Sequence, residues 1–167
     1  MLYCTRILFL GVTLLVTSIT LASTLQGRVV GIADGDTVTV LDASNIQWKI
    51  RLMGIDAPEK KQAFGNRSKQ YLSDLVYNKQ VTVEYSKKDR YGRTVGKVVV
   101  DGVDANFEQV KAGMAWHYKK YQNEQTDDDR LRYAQAEERA RAEKRGLWID
   151  AEPTPPWDFR KRGKGND

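Results

Sequence analysis

Between Gly27 and Val100 the chain keeps returning to period-two alternation, in short β-branched runs separated by turn residues. Alternation at that period places successive side chains on opposite faces of a strand, so these runs fit strands and not helices. Gly27 to Ile32 is β-branched, Asp34-Gly35-Asp36 is a turn signal, and Thr37 to Val40 alternates. After a second turn candidate at Asn45, Trp48, Ile50 and Leu52 point one way and Lys49, Arg51 and Met53 the other. The pattern predicts a meander of three strands over 27–33, 36–42 and 47–54. Val81, Val83 and Tyr85, and the residues after Thr94, predict strands over 80–86 and 94–100, with Asp101-Gly102 closing the pair. Helical spacing interrupts this pattern. Tyr71, Leu72, Leu75 and Val76 predict a helix over 65–77. Phe107 and Val110, with Gly113 as a stop, predict a short one over 103–113. Tyr133, Ala136 and Ala140 form the stripe of a third over 127–145, with Lys144 and Arg145 at its dipole end and Gly146 beyond. The expected class is α+β, mainly β: a five-stranded OB-type barrel with about three packed helices.

The remaining segments flank one domain over 24–150. Met1 to Arg6 is short and carries one positive charge, and Ile7 to Ala22 is almost wholly apolar. That layout, with small residues at Thr20 to Ser23, reads as a signal peptide over 1–22 cut near Ala22 or Ser23. The run is shorter than the roughly 20 residues of a spanning helix. The expected location is therefore periplasmic or secreted, free of the membrane after cleavage; an uncleaved anchor is the alternative. The only cysteine is Cys4, so the exported chain has no disulfide. Residues 151–167 form a Pro-containing basic tail with Arg160, Lys161, Arg162 and Lys164. Its last six or so residues are expected to be disordered, and Pro155-Pro156-Trp157 is placed to pack on the domain.

A net charge of +5 and a pI near 9.3 favour polyanionic partners. A single His and a single Cys exclude most His- and Cys-based zinc sites. The acidic loops are more informative. In a three-strand meander, the start of the second strand at Asp36 lies beside the end of the third, near Asp56. Asp34, Asp36, Asp56 and Glu59 then come within reach of one point. Such a cluster repels itself unless a cation or protons neutralise it. Its hard oxygens select Ca²⁺ or Mg²⁺ over zinc. Taken singly, each loop is an ordinary turn or capping segment. Arg51 and Arg93 change the reading, because guanidinium forks grip phosphate oxygens bidentately. A cation with two arginines suits charge that develops on phosphorus. Losing one such donor commonly costs ~10²–10³ in rate.

The segments Ile32-Ala33-Asp34-Gly35-Asp36-Thr37, Ile50 to Glu59 and Asp89-Arg90-Tyr91-Gly92-Arg93 resemble the staphylococcal (micrococcal) nuclease family. The resemblance extends through Gly146-Leu147-Trp148 and covers nearly all of the chain after residue 22. It implies an OB-fold barrel that hydrolyses DNA and RNA with one Ca²⁺ ion, cutting endonucleolytically and leaving 3′-phosphate ends. Asp36 and Asp56 would correspond to the calcium carboxylates, with Ala57 giving its backbone carbonyl and Asp34 acting through water. Glu59 matches the proposed general base, and Arg51 and Arg93 match the phosphate-binding arginines. Arg90 is placed for a terminal phosphate, and Tyr118 and Tyr121 for base stacking. His117 reads as a packing residue, Lys60, Lys61, Lys87 and Lys88 as solvated charges, and the 127–145 helix as solvated. A small barrel of this kind is expected to be a monomer without a stable protein partner. The alternatives are a silent nucleic-acid-binding module of the same fold and a membrane-anchored nuclease. The full set of acids and arginines argues against silence.

Overall fold

A computed structural model describes residues 23–163. The expected signal peptide over 1–22, Cys4 and the last four residues lie outside the described residues. Strands β1 (Ser23–Asp34), β2 (Thr37–Asp42) and β3 (Gln47–Leu52) form the predicted meander, each antiparallel to the next. A two-residue strand β4 (Ile55–Asp56) follows, then helix α1 (Gly65–Val76), β5 (Gln80–Lys88) and β6 (Thr94–Val100). Next come β7 (Val103–Asp104), α2 (Ala105–Lys111), β8 (Trp116–His117), α3 (Asp127–Ala142) and α4 (Pro156–Gly163).

Strand β1 is long enough to serve two partners. Ser23 to Arg28 pairs with β5, and Gly27 to Asp34 pairs with β2. Two irregularities, between Val29 and Gly31 and between Ile32 and Asp34, bend it between them. At the overlap, a Cβ on Gly27 would lie 2.4 Å from the Leu41 carbonyl oxygen, so only glycine fits the bend. The sheet runs β3-β2-β1-β5-β6, and β3 then pairs parallel with β6, from Ile50 opposite Thr94 to Leu52 opposite Gly96. The result is the expected closed five-stranded barrel, which leaves none of these five strands as a long unpaired edge.

The inward face of the alternating strands supplies the core. Val29, Val38, Val40, Ile50, Val83 and Val98 are fully buried. Burial of each such side chain contributes about 1.5–3 kcal/mol over leaving it in water. Leu72 and Val76 of α1, Val110 of α2 and Tyr133 and Ala136 of α3 cover the barrel. Asp104 caps α2 by accepting the Phe107 amide (3.0 Å) and also takes the Tyr133 hydroxyl (2.8 Å). Thr126 caps α3, whose first turn is acidic and last turn basic, as the helix dipole favours.

Two features depart from the sequence reading. Helix α3 is not solvated throughout: Asp129 and Glu137 are buried, because Lys97 of β6 and Lys119 reach them as ion partners. The region after Ala151 carries α4, which docks onto a second apolar cluster of Trp116, Ala140, Leu147 and Trp148. Trp157 packs edge-on to Trp116 at 5.5 Å. Of the residues expected to be disordered, Arg162 and Gly163 belong to this helix.

Candidate active site

The β1–β2 turn brings the first two acids to the barrel rim. Asp34 Oδ1 accepts the Asp36 amide at 3.0 Å, which folds Asp34-Gly35-Asp36 into a tight loop. A Cβ on Gly35 would lie 1.8 Å from Ser68 Oγ and 2.8 Å from the Ala57 Cβ. The loop is thus pressed against α1 and the second acidic loop. Gln109, fully buried on α2, donates its side-chain amide to the Gly35 and Ser68 carbonyls and braces it from below.

The second loop is reached through a sharp turn after β3. Gly54 has φ +76°, and a Cβ there would strike the Gln125 side chain at 2.4 Å. β4 then pairs with β8, Asp56 opposite Trp116, which fixes the Asp56 backbone. Asp36 ties the loops together: its Oδ2 accepts the Ala57 amide at 2.8 Å, and its carbonyl accepts the Leu52 amide at 2.8 Å.

Arg51 bridges the two aspartates. Its Nη1 lies 3.2 Å from Asp36 Oδ2, and its Nη2 lies 3.0 Å from Asp56 Oδ1. Both carboxylates therefore converge on one point. Arg93 comes from the neighbouring strand end and is held by Asp89, with Nε 2.7 Å from Oδ2. Its Nη1 donates to Thr37 Oγ1 at 3.4 Å, and that hydroxyl donates to Asp36 Oδ1 at 3.0 Å. Glu59 is half-exposed on the same rim. Its backbone amide donates to Gln62 Oε1 (3.1 Å), and Gln62 in turn donates to the Thr154 carbonyl.

These groups line one cleft of about 660 Å³, which also includes Arg90, Tyr118, Tyr121, Lys87 and Lys88. Lys60 and Lys61 are exposed outside this lining. Lys87 pairs with Glu124. Arg90 donates to the Tyr91 hydroxyl and lies over its ring. Tyr118 is stacked on Trp157 at 5.2 Å with rings nearly parallel, so that face is taken by the chain itself. Tyr121 is 44% exposed. His117 is buried and bonded to Gln125 Oε1 at 2.9 Å, and burial holds its pKa below the usual value. It is a packing residue, as its sequence context indicates.

The acids are electrostatically strained. Burial, then the charge of Asp36, pushes the Asp34 carboxyl up to about 6. Burial also raises Asp56, against a hydrogen bond from Arg160. Asp89 is lowered: partial burial opposes its charge, but hydrogen bonds from the Arg93 guanidinium and from the Arg93 and Tyr91 amides outweigh that. Among the described residues, no three His, Cys, Asp or Glu side chains form a ready-made metal cage. Two converging, largely buried carboxylates that line the cleft beside the Ala57 backbone still fit a hard divalent cation. Such ions take oxygen donors and keep several waters.

Arg160, Trp157, Gln62 and Gln109 were not picked out as site residues by sequence. Arg160 sits in α4, yet its Nη2 lies 2.7 Å from Asp56 Oδ2 and its Nη1 lies 2.7 Å from Glu59 Oε1. The basic cluster was visible in the sequence; its direction was not.

A closed barrel whose rim joins paired carboxylates to two arginines has the charge pattern of a site for a divalent cation beside a phosphate ester. Residues 49–150 match the model of the family described as staphylococcal nuclease homologue. A protein of Haemophilus influenzae named an uncharacterised endonuclease is 48% identical over 83% of this chain and 75% of its own length. An Escherichia coli O157:H7 protein of the same name is also 48% identical, over 85% and 89%. A micrococcal nuclease of Shigella flexneri is 38% identical over 90% and 88%. The chain belongs to the staphylococcal nuclease family of metal-dependent, nucleic-acid-hydrolysing enzymes.

Proposed function

We propose that the protein is a Ca²⁺-dependent nuclease that cuts phosphodiester bonds within DNA and RNA and leaves 3′-phosphate ends. The convergence of Asp36 and Asp56 on Arg51, with Glu59 and Arg93 on the same cleft, carries this reading. Asp36, Asp56 and the Ala57 carbonyl would hold the cation, with Asp34 supporting through water. A divalent ion held by these residues would supply positive charge to polarise the phosphate.

The chain's own groups supply the rest. Arg51 and Arg93 line the cleft, held by Asp36 and Asp56 and by Asp89 respectively, and each would turn part of its guanidinium from its acid to grip the phosphate. Glu59 reaches the solvent side of the cleft, where it orients a water and accepts its proton. That water oxygen bonds to phosphorus as the bond to the 5′ oxygen breaks. The leaving 5′ oxygen takes a proton from solvent and Glu59 returns its own to solvent, giving a 5′-hydroxyl and a 3′-phosphate. Arg90 and Tyr121 lie along the cleft for a flanking phosphate and base; Tyr118 serves there only if its stack with Trp157 opens. Residues 1–22 would export the enzyme to the periplasm or medium, where it acts as a monomer.

The test is cleavage of single-stranded DNA, duplex DNA and RNA with Ca²⁺, with Mg²⁺ and with chelator. All three substrates should be cut with Ca²⁺ and none with chelator. Glu59→Gln and Arg93→Ala should each lower turnover ~10²-fold or more with unchanged circular dichroism. Near wild-type turnover in both variants would refute the assignment.

A further inference from the structure

Helix α4 is anchored, not draped. Pro156 is buried, Trp157 stacks on Tyr118 and packs on Trp116, and the Thr154 carbonyl is held by Gln62. Arg160 is three residues beyond Trp157, hence on the same face of the helix. The anchor therefore aims its guanidinium into the cleft.

What it meets there is Asp56 together with Glu59. Nη1 and Nη2 of Arg160 approach both oxygens of Asp56, at 3.2 and 2.7 Å, and Nη1 also holds Glu59 Oε1 at 2.7 Å. Arg51 takes Asp56 Oδ1 as well. Asp56 is 1% exposed, so these two guanidiniums are the partners that balance its buried charge. A cation that binds Asp56 needs the same lone pairs.

We propose that Arg160 is the internal counter-ion of this site and sets its cation affinity by competing with the divalent ion for Asp56. The proposal rests on the reading of Asp56 as a cation ligand. Without the ion, Arg160 balances the acids and keeps Glu59 beside Asp56. With the ion, its positive charge must give way or bind at a distance. At an effective dielectric of about 20, a unit charge about 5 Å from a divalent ion would weaken binding by several orders of magnitude. Arg160 is 41% exposed, and at a water-like dielectric of about 80 with salt screening the same charge weakens binding about tenfold. A C-terminal helix thus makes the enzyme demand more cation than its acids alone would.

The test is Ca²⁺ titration calorimetry on metal-free protein at fixed ionic strength. Wild type is compared with Arg160→Ala, Arg160→Gln and Lys161→Ala. Lys161 is 77% exposed on the same helix and pairs only with Asp158 among the described residues, so its loss removes an equal charge that does not face the acids. Arg160→Ala and Arg160→Gln should bind Ca²⁺ about tenfold more tightly, and Lys161→Ala should match wild type. Equal or weaker binding in both Arg160 variants overturns the proposal and leaves the cation reading standing. Equal tightening in Lys161→Ala also overturns it, since the effect would then be general charge. If no variant binds Ca²⁺, the cation reading itself fails and the proposal with it. Binding by the Arg160 variants alone supports both.

Discussion

Asp34→Asn should make the metal-free protein more stable at neutral pH, and the gain should vanish in acid. Asp34 titrates near 6 in the fold against an ordinary 3.8, raised first by burial and then by Asp36. A raised acid favours folding below its unfolded value and loses that contribution as pH climbs through the folded one. Between about pH 4 and 6 the wild type therefore loses stability that an uncharged residue keeps. A shift of about two units corresponds to at most ~3 kcal/mol. Asp34 is partly exposed, so we expect about 1–2 kcal/mol after screening. Asparagine keeps the acceptor that receives the Asp36 amide, so the turn itself survives. The assay is urea unfolding of both proteins at pH 4 and pH 7.5 in chelator. An equal gain at both pH values, or a loss at pH 7.5, would refute the electrostatic account. If the proposed cation site is right, saturating Ca²⁺ should shrink the gain, because the ion would neutralise the same charge in wild type.

Two further substitutions probe how the scaffold holds the site. Gly35→Ala places a methyl 1.8 Å from Ser68 Oγ; it should cost about 1–3 kcal/mol in urea unfolding and weaken Ca²⁺ binding by displacing the acidic loop. Glu137→Ala strips the acceptor from the buried His117 amide, now bonded at 3.1 Å, and removes the partner of Lys119. It should cost about 1–3 kcal/mol, with Glu137→Gln cheaper because it keeps an acceptor. Equal losses in the two Glu137 variants would count against that explanation.

The barrel was legible because its information is local. Period-two runs and Asp-Gly turns mark strands whatever surrounds them, and β5 and β6 lie where alternation puts them. The acids were legible because a meander must return the end of β3 beside the start of β2. Features made by distant contacts were not. β4 and β8 are two residues each, too short for any periodicity to register. Helix α4 is eight residues long and begins at a proline in a basic, Pro-rich stretch. So short a helix is marginal alone and forms because tertiary packing supports it. Its support is the pocket between Trp116 and Tyr118, on segments some 40 residues upstream. Asp129 and Glu137 read as surface charges for the same reason. Their neighbours are acids and bases of one helix, while the lysines that allow their burial sit on other segments.

The position of the site follows from the closure of the barrel. Asp36 and Arg51 meet as an ion pair at the end of the β2–β3 pair, where Thr37 lies opposite Arg51. Arg93 belongs to the other side, one residue before β6. It becomes a neighbour of that pair only because β6 lies parallel to β3, with Thr94 opposite Ile50. The Arg93–Thr37–Asp36 chain of hydrogen bonds spans that seam. Antiparallel hairpins alone would have left the two arginines on opposite edges of an open sheet. The seam joins residues 44 positions apart, and parallel pairing is slightly weaker per residue. It joins only three residue pairs. A substitution that loosens the seam should therefore separate Arg51 and Arg93 before it unfolds the core. Asn106 guards against this: its amide donates to the Met53 and Gly96 carbonyls, at 3.0 and 3.1 Å, and its oxygen accepts the Val98 amide. One buried side chain thus staples the end of β3 to β6 beneath the active-site rim, and the enzyme's two halves stay in register through it.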